Sequence, residues 1–516
     1  MDRRTFLRAG TAALLAGSAL PAPGSGSGAG KRTDSFVPFG YVRIEGTKDA
    51  VVGADGEIVY AAVTDGFATV DVSDPDDPRV LAERRGLLSG HEDGPMELVW
   101  DTALDGDRLA VAAPAQATAG VPWGVVLYDV SDPADPVQVA VHETEFPVHN
   151  CDLEAGFLYL TGNEMEENSV VVVDVRDEPE EVSRFSPVEY DEKWWDLPPQ
   201  ARVIHDVVVE GEIAYCSFWN AGTWLFDVSD PTEPEKLGIA GGYTAQVHFD
   251  MPSSRYTHSG IEPPGNHHYA NPDEDGELLA INGESWAADE DSDYGGPSGI
   301  TLWDVTDISC PEHLSSIEPI YPVDATREGT WTTAHNFELV GDRLYSSWYQ
   351  DGVRIHDVSD PADPVELAHW RDPENASFWT ARLARAGECF VGADHGVPDD
   401  GTPRSGHVEG AGIWVFPDAA GEQIAQPELP TREPPPEWSI EPPLEERATC
   451  VETPTPSPTP NDSPTPSPTP NDSPTPVASP TPAGIASDEE TPGFGLPGAL
   501  AALGGVTYAA WRRTRE

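Results

Sequence analysis

The chain has 516 residues, with 90 Asp and Glu against 29 Lys and Arg and a formal charge of -61 at pH 7. A surface this negative repels nucleic acid and anionic headgroups, which argues against both as partners, while the 15 Trp and 14 Tyr argue against a wholly disordered acidic chain. The five cysteines form no Cys-x-x-Cys pair, so neither a disulfide framework nor a zinc knuckle is indicated.

At the N-terminus, Arg3 and Arg4 precede Phe6-Leu7, a run of small apolar residues from Ala9 to Leu20, and a Gly/Ser-rich exit from Pro21 to Gly30. That order predicts a twin-arginine export signal over residues 1–30, with the twin-arginine translocase as its partner. The route carries folded proteins, so a cofactor could be loaded before export. Low lysine with high acid content resembles proteins of salt-loving archaea, where molar salt shortens the Debye length to about 3 Å and suppresses self-repulsion.

From about residue 36 to 420 the chain repeats. Six β-rich runs end in Asp-Val and a turn, at Asp71, Asp129, Asp174, Asp227, Asp304 and Asp357, spaced 45 to 77 residues apart. That spacing suits one small sheet per repeat. The turn has a mechanism: the aspartate accepts local backbone donors, and the proline that follows directly in Asp-Pro presets φ. The unit from His335 to Trp370 reads as four strands joined by short turns, which is one propeller blade. Second strands align at Tyr60, Ala110, Tyr159, Tyr215, Ala280, Tyr345 and Phe390. The expectation is therefore an all-β fold, a seven-bladed propeller of four-stranded antiparallel blades. The seventh unit lacks a fourth strand, and the segment from Phe36 to Ile44 is expected to supply it. Gly124 to Pro133 and Val170 to Val175 resemble the LVIVD-repeat family, a resemblance that implies a propeller and brings no settled activity.

Counting ten residues back from the second-strand positions reaches the start of each blade's innermost strand: Ala50, Trp100, His149, His205, His335 and Thr380, with His268 in the blade whose first turn is longer. Four histidines thus fall on one level in consecutive blades. In an antiparallel hairpin the end of the second strand lies beside the start of the first, which brings Glu164, Glu284 and His395 to the same rim. Imidazoles with one or two carboxylates suit copper, zinc, iron or manganese, and such a site is expected to lose its metal near pH 6. The alternative is a repeat that copies its histidines for blade-to-blade hydrogen bonding. The arrangement is distantly similar to the selenium-binding protein and methanethiol oxidase propellers, which implies an oxidase alternative. Trp194-Trp195 and the insert from Gly241 to Asn266 lie outside the repeat and are expected to cover one mouth of the channel.

An acidic, Pro-rich connector spans 421–452. Thr-Pro and Ser-Pro repeats over 453–487 predict a disordered, extended stalk. Pro492-Gly493-Phe494, a short hydrophobic run predicted as a helix, and the basic Arg512-Arg513 complete a segment over 491–516 that resembles the archaeal PGF-CTERM sorting signal. That resemblance implies archaeosortase processing, a lipid anchor and a cell-surface location. Two function classes follow: a surface binding or scaffold module whose ligand the sequence does not name, and a metal-dependent extracytoplasmic oxidoreductase.

Overall fold

The computed structural model describes residues 35–439 apart from 253, 254, 256, 257, 265, 398–407 and 409. The chain divides into units Met1–Cys450 and Val451–Glu516, and all described residues belong to the first. The expectations for Arg3 and Arg4, the stalk, the C-terminal helix and Pro492, Gly493 and Phe494 lie outside the described residues.

Seven four-stranded antiparallel sheets follow one another along the chain. Their innermost strands are Thr47–Val52, Asp101–Asp105, Val148–Glu154, Asp206–Glu210, His267–Pro272, Phe337–Val340 and Phe378–Arg385 for blades one to seven. The middle strands are apolar on both faces because each blade is covered by its two neighbours; Ser169–Asp174, with four consecutive valines, is buried along nearly its whole length. Outer strands alternate instead, as in Arg79–Arg85, since one face meets solvent.

The expected closure is present. Gly40–Arg43 pairs antiparallel with Gly412–Pro417 as the outer strand of blade seven. Phe39 N donates to Val415 O at 2.8 Å and Ile44 N to Ala411 O at 2.9 Å, while Phe36 is buried against Phe390 and Phe416. The approach is tight: a Cβ on Gly412 would lie 2.2 Å from Val42 O.

The Asp-Pro turns work as the sequence suggests. The Asp71 carboxylate accepts Ser73 N at 2.9 Å and Ser73 Oγ at 2.5 Å, and Asp129, Asp227 and Asp357 repeat the backbone contact. These turns also lock neighbouring blades. Thr69, Ser183 and Ser315 each donate at 2.6 Å to the proline carbonyl of the next blade's turn, at Pro133, Pro231 and Pro361.

Innermost strands have no strand partner on the channel side, so their N–H groups need acceptors. The preceding blade supplies them: Asp101 accepts Cys151 N at 2.7 Å, Asp152 accepts Val209 N at 2.6 Å, and Asn271 accepts Leu339 N at 2.8 Å. Where the inner strands end, a cavity of about 930 Å³ opens, lined in part by Asp55, Asp105, Asp107, Glu154, Glu210 and Glu338. Their starts, at the other mouth, carry the histidines.

Candidate metal centre

His149, His205, His268 and His335 stand side by side around the axis. Ring centroids are 4.3 Å apart between His149 and His205, 4.1 Å between His205 and His268, and 4.3 Å between His268 and His335. Local irregularity turns the rings inward. His149 lies where pairing slips between Val148 and Cys151, and His268 where it slips between His267 and Tyr269; a bulge re-aims a side chain in this way. The neighbouring His267 points instead into its blade interface, where its Nδ1 meets Thr223 Oγ1 at 2.9 Å.

Two residues of the sequence-derived ring are corrected by the same effect. Trp379, rather than Thr380, completes the circle, 4.4 Å from His335 and 5.6 Å from Trp100 between centroids. Lys48, rather than Ala50, sits beside it with Nζ 5.4 Å from the Trp379 ring. Both blades carry slips in the first hairpin, at Phe378/Thr380 and Thr47/Ala50, which a fixed count of ten does not register.

Hydrogen bonding sets the outer tautomers. His149 Nδ1 donates to Ala115 O at 2.7 Å and His335 Nδ1 to Trp379 O at 2.6 Å, which leaves each Nε2 as the lone-pair nitrogen. A carbonyl behind the ring is the usual support of a metal-binding imidazole. Nδ1 of His205 and Nδ1 of His268 are buried with no partner in hydrogen-bond geometry. A nitrogen from each of these two and a carboxylate oxygen of Glu284 all lie within 4.8 Å of one another. Glu284 Oε2 is 3.7 Å from His268 Nε2, and Oε1 is 3.9 Å from His335 Nε2.

Not all the expected rim residues converge. Glu164 stands over blade three, where Arg184 and Glu167 are the charges acting on it and Oε2 is buried without a hydrogen bond. His395 lies behind the ring, its Nε2 2.8 Å from Ser377 Oγ and its imidazole edge-on to Tyr349 and Trp379. Tyr349 escaped the sequence reading although it occupies the same rim position in blade six. Its hydroxyl donates to Glu284 Oε1 and its ring packs on His335 at 4.9 Å. Within the insert, the short helix Ala245–Asp250 packs His248 against Trp194, with ring centroids 5.7 Å apart, and at the end of the insert Asn266 Nδ2 donates to Glu284 O.

Burial governs protonation here. It holds His149 down to about 4 and His335 to about 3, and pushes His205 and His268 well below the ordinary histidine range, with the neighbouring imidazoles adding to the effect. Glu284 is raised by burial against the opposing Tyr349 hydrogen bond and Arg327 charge. Burial keeps the two ligand imidazoles, His205 and His268, neutral well below the ordinary histidine range, so protons do not compete for their lone pairs near pH 6. Bound metal should therefore survive dialysis at a pH where exposed histidines are already protonated, lower than the sequence suggests. Metal analysis across a pH series checks this; complete release by about pH 6 would mean that the imidazoles titrate as exposed groups.

Two imidazoles and one carboxylate match the donor set of zinc and non-haem iron sites that keep open coordination positions. Comparison with known proteins adds the repeat. The LVIVD repeat model matches residues 201–240. That span is blade four, including His205. Among solved structures, the Myceliophteria thermophila Cps50 (Swd1) β-propeller domain is similar at 11% identity and TM-score 0.49, covering 74% of this chain and 99% of that one. U3-55K matches at 11% identity and TM-score 0.48 over 75% of this chain and 100% of its own. The RRP9 WD40 repeats match at 11% and 0.48 over 75% and 98%. No curated protein matches the chain.

Proposed function

We propose that this protein is an exported propeller, anchored at the cell surface through its C-terminus, that holds a transition metal at one mouth of its channel. The propeller itself supports a binding or scaffold module. What carries the metal reading is the convergence of His205, His268 and Glu284, with buried imidazole nitrogens that no protein group satisfies. A repeat that merely copied structural histidines would satisfy every ring within its own blade interface, as happens to His267. Export through the twin-arginine translocase and processing by an archaeosortase onto a membrane lipid rest on Arg3-Arg4 and on Pro492-Gly493-Phe494 with the stalk before it.

One observation favours a second reading, a metal-dependent extracytoplasmic oxidoreductase. Three protein donors leave coordination positions for a substrate, and the Tyr349 hydroxyl on Glu284 is a proton donor beside them. Elemental analysis of protein folded in molar salt tests the metal reading: about one equivalent of copper, zinc, iron or manganese is expected. Protein that stays metal-free after incubation with all four would leave only the binding or scaffold module.

A further inference from the structure

Arg327 differs from the other buried and partly buried arginines compared with it. Arg202 donates to the carbonyls of Trp194, Leu197 and Glu166, Arg354 and Arg371 share Asp351, and Arg382 holds the Tyr269 hydroxyl and Phe337 O. The guanidinium of Arg327, by contrast, makes no hydrogen bond or ion pair with any described residue, and its Nε is buried. In a chain with three acids for every base, a partly buried arginine with no carboxylate in contact is conspicuous, since Glu284 and Glu328 act on it only through space.

Its position is fixed. The loop that bears it is pinned by Ala287 N to Ala325 O at 2.8 Å and by Trp331 Nε1 to Arg327 O at 2.8 Å. The guanidinium lies 4.3 Å from the Trp286 ring, and Trp286 packs on Trp331, which packs on Tyr349, at 4.9 and 5.0 Å. Glu284 and Tyr349 feel its charge, yet Glu284 is not in ion-pair contact with it, being engaged by Tyr349 and His268. A cationic fork thus stands unpaired among indoles beside the three metal donors.

We propose that Arg327 recognises the carboxylate of a small organic acid with a flat apolar body, held against the partly exposed Trp331 at this mouth. A single planar fork matches one carboxylate in two parallel hydrogen bonds, whereas a phosphate dianion beside Glu284 would need further cations. The inference rests on the metal reading only in making this acid a ligand of the same site.

Benzoate is the probe, titrated into the full chain with and without zinc and followed by calorimetry and tryptophan fluorescence, with inorganic phosphate in parallel. Saturable benzoate binding is expected, weakened at least about tenfold in Arg327→Gln and less in Arg327→Lys, while phosphate binds the wild type and Arg327→Gln alike. Circular dichroism verifies that both variants are folded. Equal benzoate affinity in wild type and Arg327→Gln, no benzoate binding at all, or Arg327-dependent binding of phosphate alone would each overturn the proposal. If zinc fails to bind while benzoate still depends on Arg327, the metal reading falls and this one stands; zinc bound with benzoate indifferent to Arg327→Gln gives the reverse.

Discussion

Replacing His268 with alanine is expected to abolish stoichiometric metal, because His268 is the one imidazole that both joins the trio and approaches Glu284 to 3.7 Å. Glu284→Gln should do nearly as much, since the amide keeps the shape but not the charge. Tyr349→Phe removes the hydroxyl that donates to Glu284 and should cost about 10- to 100-fold in affinity, the usual range for a group behind the ligand. His149→Ala tests the boundary of the site: its ring stacks on His205 but lies outside the trio, so its loss should weaken binding less than either ligand. Zinc titration of the four variants, each with its metal content after dialysis, gives the order. Wild-type metal content in His268→Ala would place the ion elsewhere.

Phe36→Ala should destabilise the propeller by about 3–5 kcal/mol, the cost of emptying a buried phenylalanine site that cannot collapse. The side chain is 1% exposed and lies between Phe390 and Phe416, so its removal opens the joint where the ring closes. Phe39, three residues on and 43% exposed, is the control, and Phe39→Ala should change stability by about 0.5 kcal/mol or less. Denaturant unfolding of both variants separates them. Equal midpoints would mean that the closing segment contributes little beyond its backbone pairing.

Most of the fold was legible because its signals are local. An aspartate that caps its own turn leaves the same short motif in every blade, and the missing fourth strand of the last unit pointed to the segment before the first. The histidine level was legible because the distance between first and second strands is nearly constant from blade to blade, even where the hairpin slips beside His149 and His268. In blades seven and one the slip displaces the inward position by one or two residues, and so the count reached Thr380 instead of Trp379 and Ala50 instead of Lys48. Tyr349 carried a usable signal, its place just after a second strand at the level of Glu284, but the sequence reading did not use it. Nothing in the sequence marks Arg327. Its meaning comes from the lack of a carboxylate in contact with its guanidinium, although Glu284 and Glu328 are near enough to act on its charge, and only three-dimensional packing reveals this.

The strand that completes blade seven also constrains how the protein is made. Gly40–Arg43 leaves the ribosome first among the strands of the propeller, yet its partner Gly412–Pro417 is the last of those strands to be translated. Until then the early strand has no hydrogen-bonding edge, and the channel mouth that gathers the histidines is an open arc. The circle therefore cannot close until Gly412–Pro417 has emerged, by which time the strands of the other six blades are already made.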